Sequence, residues 1–335
     1  MAVQIKGETK RLGLALSGGG FRAAAFHLGT FLKLRELKLL DKIDVISCVS
    51  GGSIAGAFLA VNWNSADVLD RLENYLRTRS IAASTVIGGI LDPFNSRLDK
   101  LAAAYDRDLF EKRTLTSLKK GPRIYLNSTS LSTGNMFTCV AGEGGKCEIG
   151  EWELGFHEDD EFLISRAVAA SSAFPPVFPP LMVDGEQYPA AGVEYVTLTD
   201  GGVYDNLGVN PLFRTRNNVH YAIVSDAGKP FEIVERPTDS GTIVLKETIS
   251  ILMEQVRGLQ FERLRLAHKA NLGPKPLWYS IDSNEGEQQS GDSAFASAIS
   301  TGLSKLNDNE MKVLKRHAGA LLAHRIQTYA PELLQ

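Results

Sequence analysis

The chain contains 335 residues, of which 44% are hydrophobic and 22% are charged, and its formal net charge is −3. This composition is ample for a large buried core, while the small negative charge argues against nucleic acid as a partner. No apolar run approaches the length of about 18 residues that a membrane-spanning helix needs. We expect one globular domain over residues 1–335, with its motifs between 12 and 226 and a helical C-terminal part from 242 to 330.

The cysteines indicate a reducing compartment. There are three of them, Cys48, Cys139 and Cys147, and the polar segment from Met1 to Lys10 does not resemble a secretory signal. An odd number of cysteines in such a chain favours an intracellular, cytoplasmic protein with free thiols. Cys139 and Cys147 either face each other across a hairpin or, as we favour, are small apolar strand residues. No Cys-x-x-Cys or paired-histidine spacing is present, so we expect neither a metal nor another cofactor.

The first elements form a β-α-β unit. Leu12 to Leu16 is a short apolar run typical of a buried strand, and it ends in the turn Ser17-Gly18-Gly19-Gly20-Phe21-Arg22. From Ala23 to Leu40 the apolar residues recur at helical spacing, and Ile43 to Val49 is a second buried strand. Two strands joined by a helix are expected to be parallel. Both following turns would then lie at the carboxyl end of the sheet, where open α/β sheets bind ligands.

A serine follows the second strand at once. The segment Asp44-Val45-Ile46-Ser47-Cys48-Val49-Ser50-Gly51-Gly52-Ser53-Ile54-Ala55-Gly56 reads as a strand, a turn of small residues and a helix. A serine in such a turn presents its hydroxyl beside helix N-terminal amides, as in a nucleophile elbow. Ser50 is therefore the candidate nucleophile, and it requires a base, oxyanion donors and a pocket for an acyl group.

The triple glycine Gly18-Gly19-Gly20 is open to two interpretations. Bare amides can cradle a phosphate, but the dinucleotide pattern G-x-G-x-x-G is absent because position 23 is alanine, and there is no Walker lysine. Beside a nucleophilic serine the same amides would form an oxyanion hole, since glycine lets the backbone approach a charged oxygen closely. We favour the oxyanion hole, with Gly18, Gly19 and Gly20 as its donors.

Two apolar segments are the candidate acyl-binding surfaces. Ile81 to Leu91 contains glycine and is only weakly periodic, so it is either a buried connection or a mobile lid that touches the membrane. Phe174 to Pro180 holds four prolines, which prevents regular structure and favours a rigid apolar wall.

The other predicted elements complete an α/β fold with a mainly parallel sheet. An antiparallel hairpin at the sheet edge joins Asn135–Ala141 to Lys146–Trp152. The remaining predicted helices are Ile54–Val61, a helix from Ser65 or Asp67 to about Arg79, Phe162–Ser171, Thr242–Leu272 and Asp308–Tyr329. The remaining predicted strands are Arg123–Leu131, Tyr195–Thr199, His220–Ser225 and Leu277–Ile281.

Asp200 is the strongest candidate for the base. It ends a predicted strand and precedes two glycines, so a parallel strand would put it on the same sheet edge as Ser17 and Ser50. Aspartate is a weak base at its ordinary pKa of about 3.9, but desolvation raises that pKa, and contact with the serine permits proton transfer during attack. None of the six histidines stands in such a turn. The order Ser50, Asp200, His268 keeps a Ser-His-Asp triad as an alternative.

Four segments, taken together and in this order, resemble the patatin-like phospholipase family. They are Ser17-Gly18-Gly19-Gly20-Phe21-Arg22, Val49-Ser50-Gly51-Gly52-Ser53, Ala173 to Pro180 and Asp200-Gly201-Gly202. The resemblance covers roughly residues 12–226 and implies a three-layer α/β/α sandwich. It also implies a lipid acyl hydrolase with Ser50 as nucleophile, Asp200 as base and the amides of Gly18 to Gly20 as oxyanion donors. The implied substrate is a membrane phospholipid or another acyl lipid, reached by transient, peripheral contact with a membrane surface.

Two positions need comment within this resemblance. Cys48 stands where the family usually has the first glycine of Gly-x-Ser-x-Gly. The resemblance therefore leaves open whether the backbone of the elbow is strained or turns at a different angle. The glycine turn resembles the cytosolic phospholipase A branch more than the plant patatins. This resemblance suggests that Arg22 binds an anionic head group or orients the turn. The other interpretation is that Arg22 forms a structural salt bridge. The alternatives to a Ser-Asp lipid hydrolase are an esterase or thioesterase with the His268 triad, and a non-catalytic lipid- or partner-binding protein on the same fold.

Overall fold

A ten-stranded sheet organises the chain, and a two-stranded antiparallel sheet lies near its N-terminus. The computed structural model describes residues 2–81, 97–142, 145–228, 230–231 and 239–335. Within these residues the strands are β1 Val3–Ile5, β2 Glu8–Lys10, β3 Leu12–Leu16, β4 Ile43–Val49, β5 Arg123–Ser130, β6 Met136–Ala141, β7 Glu148–Glu151, β8 Gly155–Glu158, β9 Leu181–Asp184, β10 Tyr195–Asp200, β11 Tyr221–Asp226 and β12 Lys275–Ser280.

The helices agree in outline with the periodicity of the sequence. Those described are α1 Gly20–Glu36, α2 Gly51–Val61, α3 Val68–Thr78, α4 Arg97–Tyr105, α5 Ile164–Ser171, α6 Gly202–Asp205, α7 Gly241–Lys269, α8 Asp292–Ala298 and α9 Asp308–Tyr329. The start of α9 is fixed by a capping box, in which the Asn307 side chain accepts from the Glu310 N–H and the Glu310 carboxylate accepts from the Asn307 N–H. This cap explains why the predicted and observed bounds of that helix coincide.

Five parallel strands form the centre of the large sheet, in the order β12-β11-β3-β4-β5. Every residue of β3, β4 and β11 is buried, because helices cover both faces of the sheet. Leu14 and Leu16 belong to the core on one face, whereas Ala15 and Val45 belong to the core on the other, which includes Leu264 of α7. The fold is therefore a three-layer α/β/α sandwich with a mainly parallel centre, as predicted.

Strand β10 corrects the expectation that Asp200 ends a parallel strand. It pairs antiparallel with β5, as Asp200 lies opposite Ser128 and Leu198 opposite Ser130. One edge of β5 is occupied by β6, so β4 and β10 share the other edge. Strand β4 ends at Val49, opposite Asn127, where β10 also ends from the other direction. The two strands run head to head, which brings Asp200 to the end of β4 without a parallel crossover.

The antiparallel side of the sheet confirms the predicted hairpin and adds one strand. Strands β6 and β7 pair antiparallel, and β8 continues the sheet beyond them. Cys139 and Cys147 are buried free thiols, as is Cys48; Cys139 lies on β6, whereas Cys147 immediately precedes β7. Among the described helices, none is both long and apolar enough to cross a membrane.

Candidate active site

Ser50 occupies a strained turn between β4 and α2. Its backbone has φ 51° and ψ −116°, a left-handed conformation that non-glycine residues rarely adopt. The turn brings Ser50 out of the buried strand, and its side chain is partly exposed at the N-terminus of α2. This is the geometry expected of a nucleophile elbow, in which backbone strain holds the hydroxyl above the sheet.

Ser171, the last residue of α5, holds this elbow through a fully used hydroxyl group. Its Oγ accepts from the Ser50 N–H at 3.0 Å and lies 2.8 Å from the Ser53 Oγ. The same hydroxyl donates to the carbonyl oxygen of Asn127 on β5 at 2.6 Å. A buried hydroxyl with one donated and two accepted hydrogen bonds has no remaining capacity, so it ties the elbow to both α5 and the sheet.

The glycine turn after β3 packs directly on the elbow. A Cβ atom on Gly18 would lie 3.2 Å from the Ser50 Cβ, and one on Gly51 would lie 2.2 Å from the Gly20 carbonyl oxygen. Gly19 and Gly20 have φ values of 136° and 60°, so the turn itself requires glycine. The absence of side chains therefore lets this backbone reach the neighbourhood of the Ser50 hydroxyl.

The three predicted oxyanion donors are not equivalent. The Gly18 N–H already donates to the Asn206 carbonyl oxygen at 3.2 Å, because Asn206 follows α6 and packs against the turn. Within the described part of the chain, the N–H groups of Gly19 and Gly20 have no such acceptor. The available N–H groups favour Gly19 and Gly20, and the assignment of all three glycines as oxyanion donors stays a prediction.

Asp200 is a buried carboxylate beside the elbow. Its backbone is fixed by an N–H donated to the Ala173 carbonyl at 3.1 Å and by the Thr129 hydroxyl, which donates to the Asp200 carbonyl at 2.8 Å. The side-chain Oδ1 accepts from the Gly202 N–H at 2.7 Å, whereas Oδ2 accepts no hydrogen bond from a described residue. One carboxylate oxygen therefore orients the group, and the other is free to accept a proton.

Burial raises the pKa of Asp200 to about 7, while the Gly202 N–H and the nearby Ser50 hydroxyl oppose that rise. The Ser50 hydroxyl is close enough to the carboxylate to lower this pKa, although the two groups do not meet the geometry of a hydrogen bond. Catalytic hydrogen bonds are often long before substrate binds. A carboxylate that titrates near pH 7 is matched to accept a proton at neutral pH.

Arg22 lies inside the protein and is completely buried. Its Nη1 donates to the carbonyl oxygens of Ser297 at 2.9 Å and Ile299 at 3.0 Å, and its Nη2 donates to the Ala227 carbonyl at 2.8 Å. Gly19 packs against the same Ala227 carbonyl, which a Cβ atom would approach to 2.8 Å. This position supports a role in orienting the glycine turn, and it offers no support for head-group binding.

The histidines occupy places that do not favour a triad. His27 is buried, with Nε2 2.9 Å from the Ser17 carbonyl oxygen and Nδ1 2.9 Å from the Ser225 hydroxyl, so both ring nitrogens are in use. Met253 of α7 reaches the site, since its Cε would lie 2.6 Å from a Cβ on Gly202. His268 is 15 residues further along this helix, which corresponds to about 22 Å of helix axis. The His268 alternative is therefore not supported by its position.

The two predicted acyl-binding segments have different outcomes. Residues 82–91 of the predicted lid or connection lie outside the described residues. Phe174 to Pro180 is irregular and partly exposed, and it begins next to Ala173, whose carbonyl accepts from both the Asp200 N–H and the Thr199 hydroxyl. Its role as an acyl wall stays a prediction. Among the described residues no group of histidine, cysteine and acidic side chains is arranged to hold a metal ion.

Sequence reasoning missed three residues that support the site. Ser171 was visible only as part of a run of small residues, and Asn206 only as part of the motif after Asp200. Asp226 ends β11 and is buried; its Oδ2 accepts from the Arg257 Nη1 at 2.7 Å, which fastens α7 to this edge of the sheet. Each of these contacts joins segments distant in sequence, so local patterns did not reveal them.

The structure is an α/β sandwich in which a strained serine, a buried aspartate and a glycine turn lie at one edge of the sheet. The family model of patatin-like phospholipase matches residues 14–213, and the chain belongs to this family. The matched region contains Ser50, Asp200 and the glycine turn. A search of curated proteins gives no significant match.

Solved structures with the same fold include two of a human enzyme. Human GIVD cytosolic phospholipase A2 is 13% identical, with a TM-score of 0.59 over 97% of this chain and 62% of that chain. The same human enzyme in complex with methyl gamma-linolenyl fluorophosphonate and terbium chloride is 12% identical, with a TM-score of 0.60 over 97% of this chain and 59% of that chain. The chain thus spans about three fifths of the length of these structures.

Proposed function

We propose that this protein is a lipid acyl hydrolase of the phospholipase A or lysophospholipase type, with Ser50 as nucleophile and Asp200 as general base. The observation that carries the proposal is the meeting of three features at one point of the sheet. These are the strained Ser50, the buried Asp200 with a free Oδ2, and the glycine turn with its available N–H groups. Membership of the patatin-like phospholipase family supports a lipid ester as the substrate.

In the acylation step, the Ser50 Oγ attacks the ester carbonyl carbon while its proton moves to the Asp200 carboxylate. The carbonyl π bond opens, and the resulting oxyanion accepts hydrogen bonds from the Gly19 and Gly20 N–H groups. Loss of one such donor is expected to raise the barrier by about 3 to 4 kcal/mol. Collapse of the intermediate breaks the bond to the alcohol, which leaves with the proton held by Asp200.

Deacylation repeats the step with water. Asp200, again ionised, removes a proton from a water molecule that attacks the acyl-Ser50 carbonyl, and the second tetrahedral intermediate expels the Ser50 oxygen. The proton on Asp200 returns to Ser50, and a fatty acid is released. The same carboxylate therefore acts as base and then as acid in each half of the reaction.

The solved structure of the human neighbour contains methyl gamma-linolenyl fluorophosphonate as an inhibitor. A fluorophosphonate reacts with activated serines, so this reagent class suits a direct test. We expect an alkyl fluorophosphonate to label wild-type protein at Ser50, as located by peptide mass spectrometry. Labelling is expected to be absent in Ser50→Ala and greatly slowed in Asp200→Asn.

Hydrolysis of a panel of phospholipid, lysophospholipid, neutral lipid and acyl thioester substrates completes the test. Ser50→Ala and Asp200→Asn should each abolish hydrolysis, and His268→Ala should retain it because that residue is remote. Loss of activity in His268→Ala would refute the dyad and favour the triad, which also contains Asp200. A folded wild-type protein that neither reacts with the probe nor hydrolyses any lipid would instead identify a non-catalytic lipid-binding protein.

A further inference from the structure

The side-chain amide of Asn206 borders both Ser50 and Asp200. A Cβ atom on Gly18 would lie 2.4 Å from the Asn206 Oδ1 and 3.2 Å from the Ser50 Cβ. A Cβ atom on Gly202 would lie 2.7 Å from the same Oδ1 and 3.0 Å from the Asp200 Oδ1. The space of one methyl group therefore separates the amide from the nucleophile on one side and from the base on the other.

Glycines from three segments of the chain hold the amide in this position. Besides Gly18 and Gly202, Gly228 approaches it, since a Cβ atom there would lie 3.2 Å from the Asn206 Nδ2. The Asn206 backbone is helical, with φ −67° and ψ −20°, and its carbonyl oxygen accepts a hydrogen bond from the Gly18 N–H at 3.2 Å. A side chain at any of these three glycines would displace the amide, so their absence of side chains fixes where the amide lies.

The hydrogen-bonding groups of this amide are unused. Asn206 is partly exposed, and within the described ranges no hydrogen bond joins its side chain to another residue. An asparagine amide offers two N–H donors and a carbonyl oxygen that accepts. A few polar groups placed in this way give a binding site its orientation and specificity. The amide is therefore positioned to bind a polar group of the molecule that Ser50 attacks.

The surroundings of the amide favour the alcohol of the ester over its acyl chain. In the proposed mechanism Asp200 returns its proton to the leaving alcohol, so that alcohol lies next to the Asp200 carboxylate. Charged groups continue on the far side of the amide, because a Cβ atom on Gly228 would also lie 3.1 Å from the Asp226 Oδ1 and 3.7 Å from the Arg257 Cδ. The Arg257 Nε in turn donates to the Glu254 Oε2 at 2.7 Å. An acyl chain placed here would remove charged groups from water at a cost, whereas a polar alcohol would not.

We propose that the Asn206 amide binds the leaving alcohol and selects esters whose alcohol carries a further free hydroxyl group, as in a monoacylated glycerol. The inference rests on the proposed acyl hydrolase function and names the substrate class of that site. A hydroxyl beside the scissile ester donates to Oδ1 or accepts from Nδ2, and an ester of a simple alcohol makes neither bond. Since the amide is partly exposed, water can replace the missing hydroxyl, and the preference is about tenfold instead of the much larger factors of fully buried sites.

Two soluble esters isolate this contact. 1-Hexanoylglycerol and propyl hexanoate have the same acyl chain and the same three-carbon alcohol, and they differ only in the free hydroxyl groups of the glycerol. Wild-type protein is expected to show a kcat/KM about tenfold higher for the glyceryl ester. Asn206→Leu keeps the shape of the side chain without its hydrogen bonds, so it should lower that value about tenfold and leave kcat/KM for propyl hexanoate nearly unchanged. The control Asn64→Leu, at an exposed asparagine outside the site, should behave as wild type.

Fluorophosphonate labelling separates this inference from the proposed function. The reagent loses fluoride and carries no hydroxyl group, so Asn206→Leu should be labelled at Ser50 nearly as fast as wild type. No preference between the two esters in wild type, or an unchanged preference in a labelled Asn206→Leu, would overturn the inference and leave the hydrolase intact.

A folded Asn206→Leu that loses labelling and both activities would make the residue a structural support and would also overturn the inference. Asn206→Ala, measured in the same way, replaces the leucine variant if that protein does not fold. A wild-type protein that is neither labelled nor active on either ester would overturn this inference together with the proposed function.

Discussion

The Sγ atom of Cys48 occupies the space in which Gly56 has no side chain. A Cβ atom on Gly56 would lie only 2.3 Å from that sulfur, far closer than two such atoms can approach. The cysteine at the usual glycine position of the elbow is therefore accommodated by a glycine one and a half turns into α2. The departure from the family pattern is compensated locally, between the strand before Ser50 and the helix after it.

This complementarity predicts coupled stabilities. Gly56→Ala should lower the free energy of unfolding by about 1 to 3 kcal/mol, because an added methyl group in a packed core forces displacement. In a Cys48→Gly background the same substitution should cost much less, since the sulfur is no longer there. Urea denaturation of the four proteins in this double-mutant cycle measures the coupling. An equal cost of Gly56→Ala in both backgrounds would contradict the proposed contact.

The raised pKa of Asp200 predicts the pH dependence of catalysis. Only the ionised carboxylate accepts a proton, so kcat/KM should rise with pH through an apparent pKa of about 7 and fall about tenfold per unit well below it. Initial rates on a soluble ester substrate between pH 5 and 9 measure this profile. A value of kcat/KM that stays constant between pH 5 and 9 would show that ionisation of Asp200 does not control the reaction.

The buried carboxylate of Asp200 is also expected to lower the free energy of unfolding at neutral pH. Folding raises the pKa of Asp200, so the folded state binds the proton more tightly and the carboxylate destabilises the fold increasingly as pH rises from about 4 to 7. Asp200→Asn should therefore increase the free energy of unfolding by about 2 to 4 kcal/mol at pH 8 and change it little at pH 4. The control is Asp41→Asn, at an exposed acid outside the site. A destabilised Asp200→Asn at pH 8 would show that the carboxylate is held by favourable contacts instead.

The hydrogen bonds of Ser171 predict that its hydroxyl holds the turn that carries Ser50. Ser171→Ala leaves the Ser50 N–H, the Ser53 hydroxyl and the Asn127 carbonyl without their common partner, which should cost about 1 to 3 kcal/mol of stability. Displacement of the elbow should also lower kcat by about tenfold to a hundredfold while KM changes little. Ser172→Ala is the matched control, because this adjacent buried hydroxyl makes no hydrogen bond to the elbow. Loss of stability with kcat unchanged would make Ser171 a purely structural residue.

The parts of the site that the sequence reveals are those formed within one segment. The Ser50 elbow and the glycine turn each consist of a strand end, small residues and a helix start, and such patterns are legible without the fold. The direction of β10 cannot be recognised in this way, because nothing in residues 195–200 indicates whether the strand pairs parallel or antiparallel with its neighbour. Asp200 reaches Ser50 only because β5 is long enough to accept β4 and β10 on the same edge.

The surroundings of two other candidate residues depend on distant backbone. The sequence leaves Arg22 open to head-group binding, orientation of the turn or a salt bridge, whereas the structure buries it completely and bonds it to main-chain carbonyl groups of distant segments. Gly18 looked equivalent to its two neighbours until Asn206 provided an acceptor for its N–H. In both cases the deciding partner is a main-chain carbonyl, which every residue has and no sequence pattern marks.

The burial of His27 predicts that the protein loses stability in mild acid. Burial lowers its pKa to about 4, although its hydrogen bond to the Ser17 carbonyl opposes this. The unfolded chain binds a proton below pH 6.5 and the folded chain does not until pH 4, so His27 should lower the free energy of unfolding by about 3 kcal/mol across that interval. Urea denaturation at pH 7.5, 6, 5 and 4.5 should show a shallower decline in His27→Gln than in wild type. Parallel declines in wild type and His27→Gln would show that other groups govern the acid sensitivity.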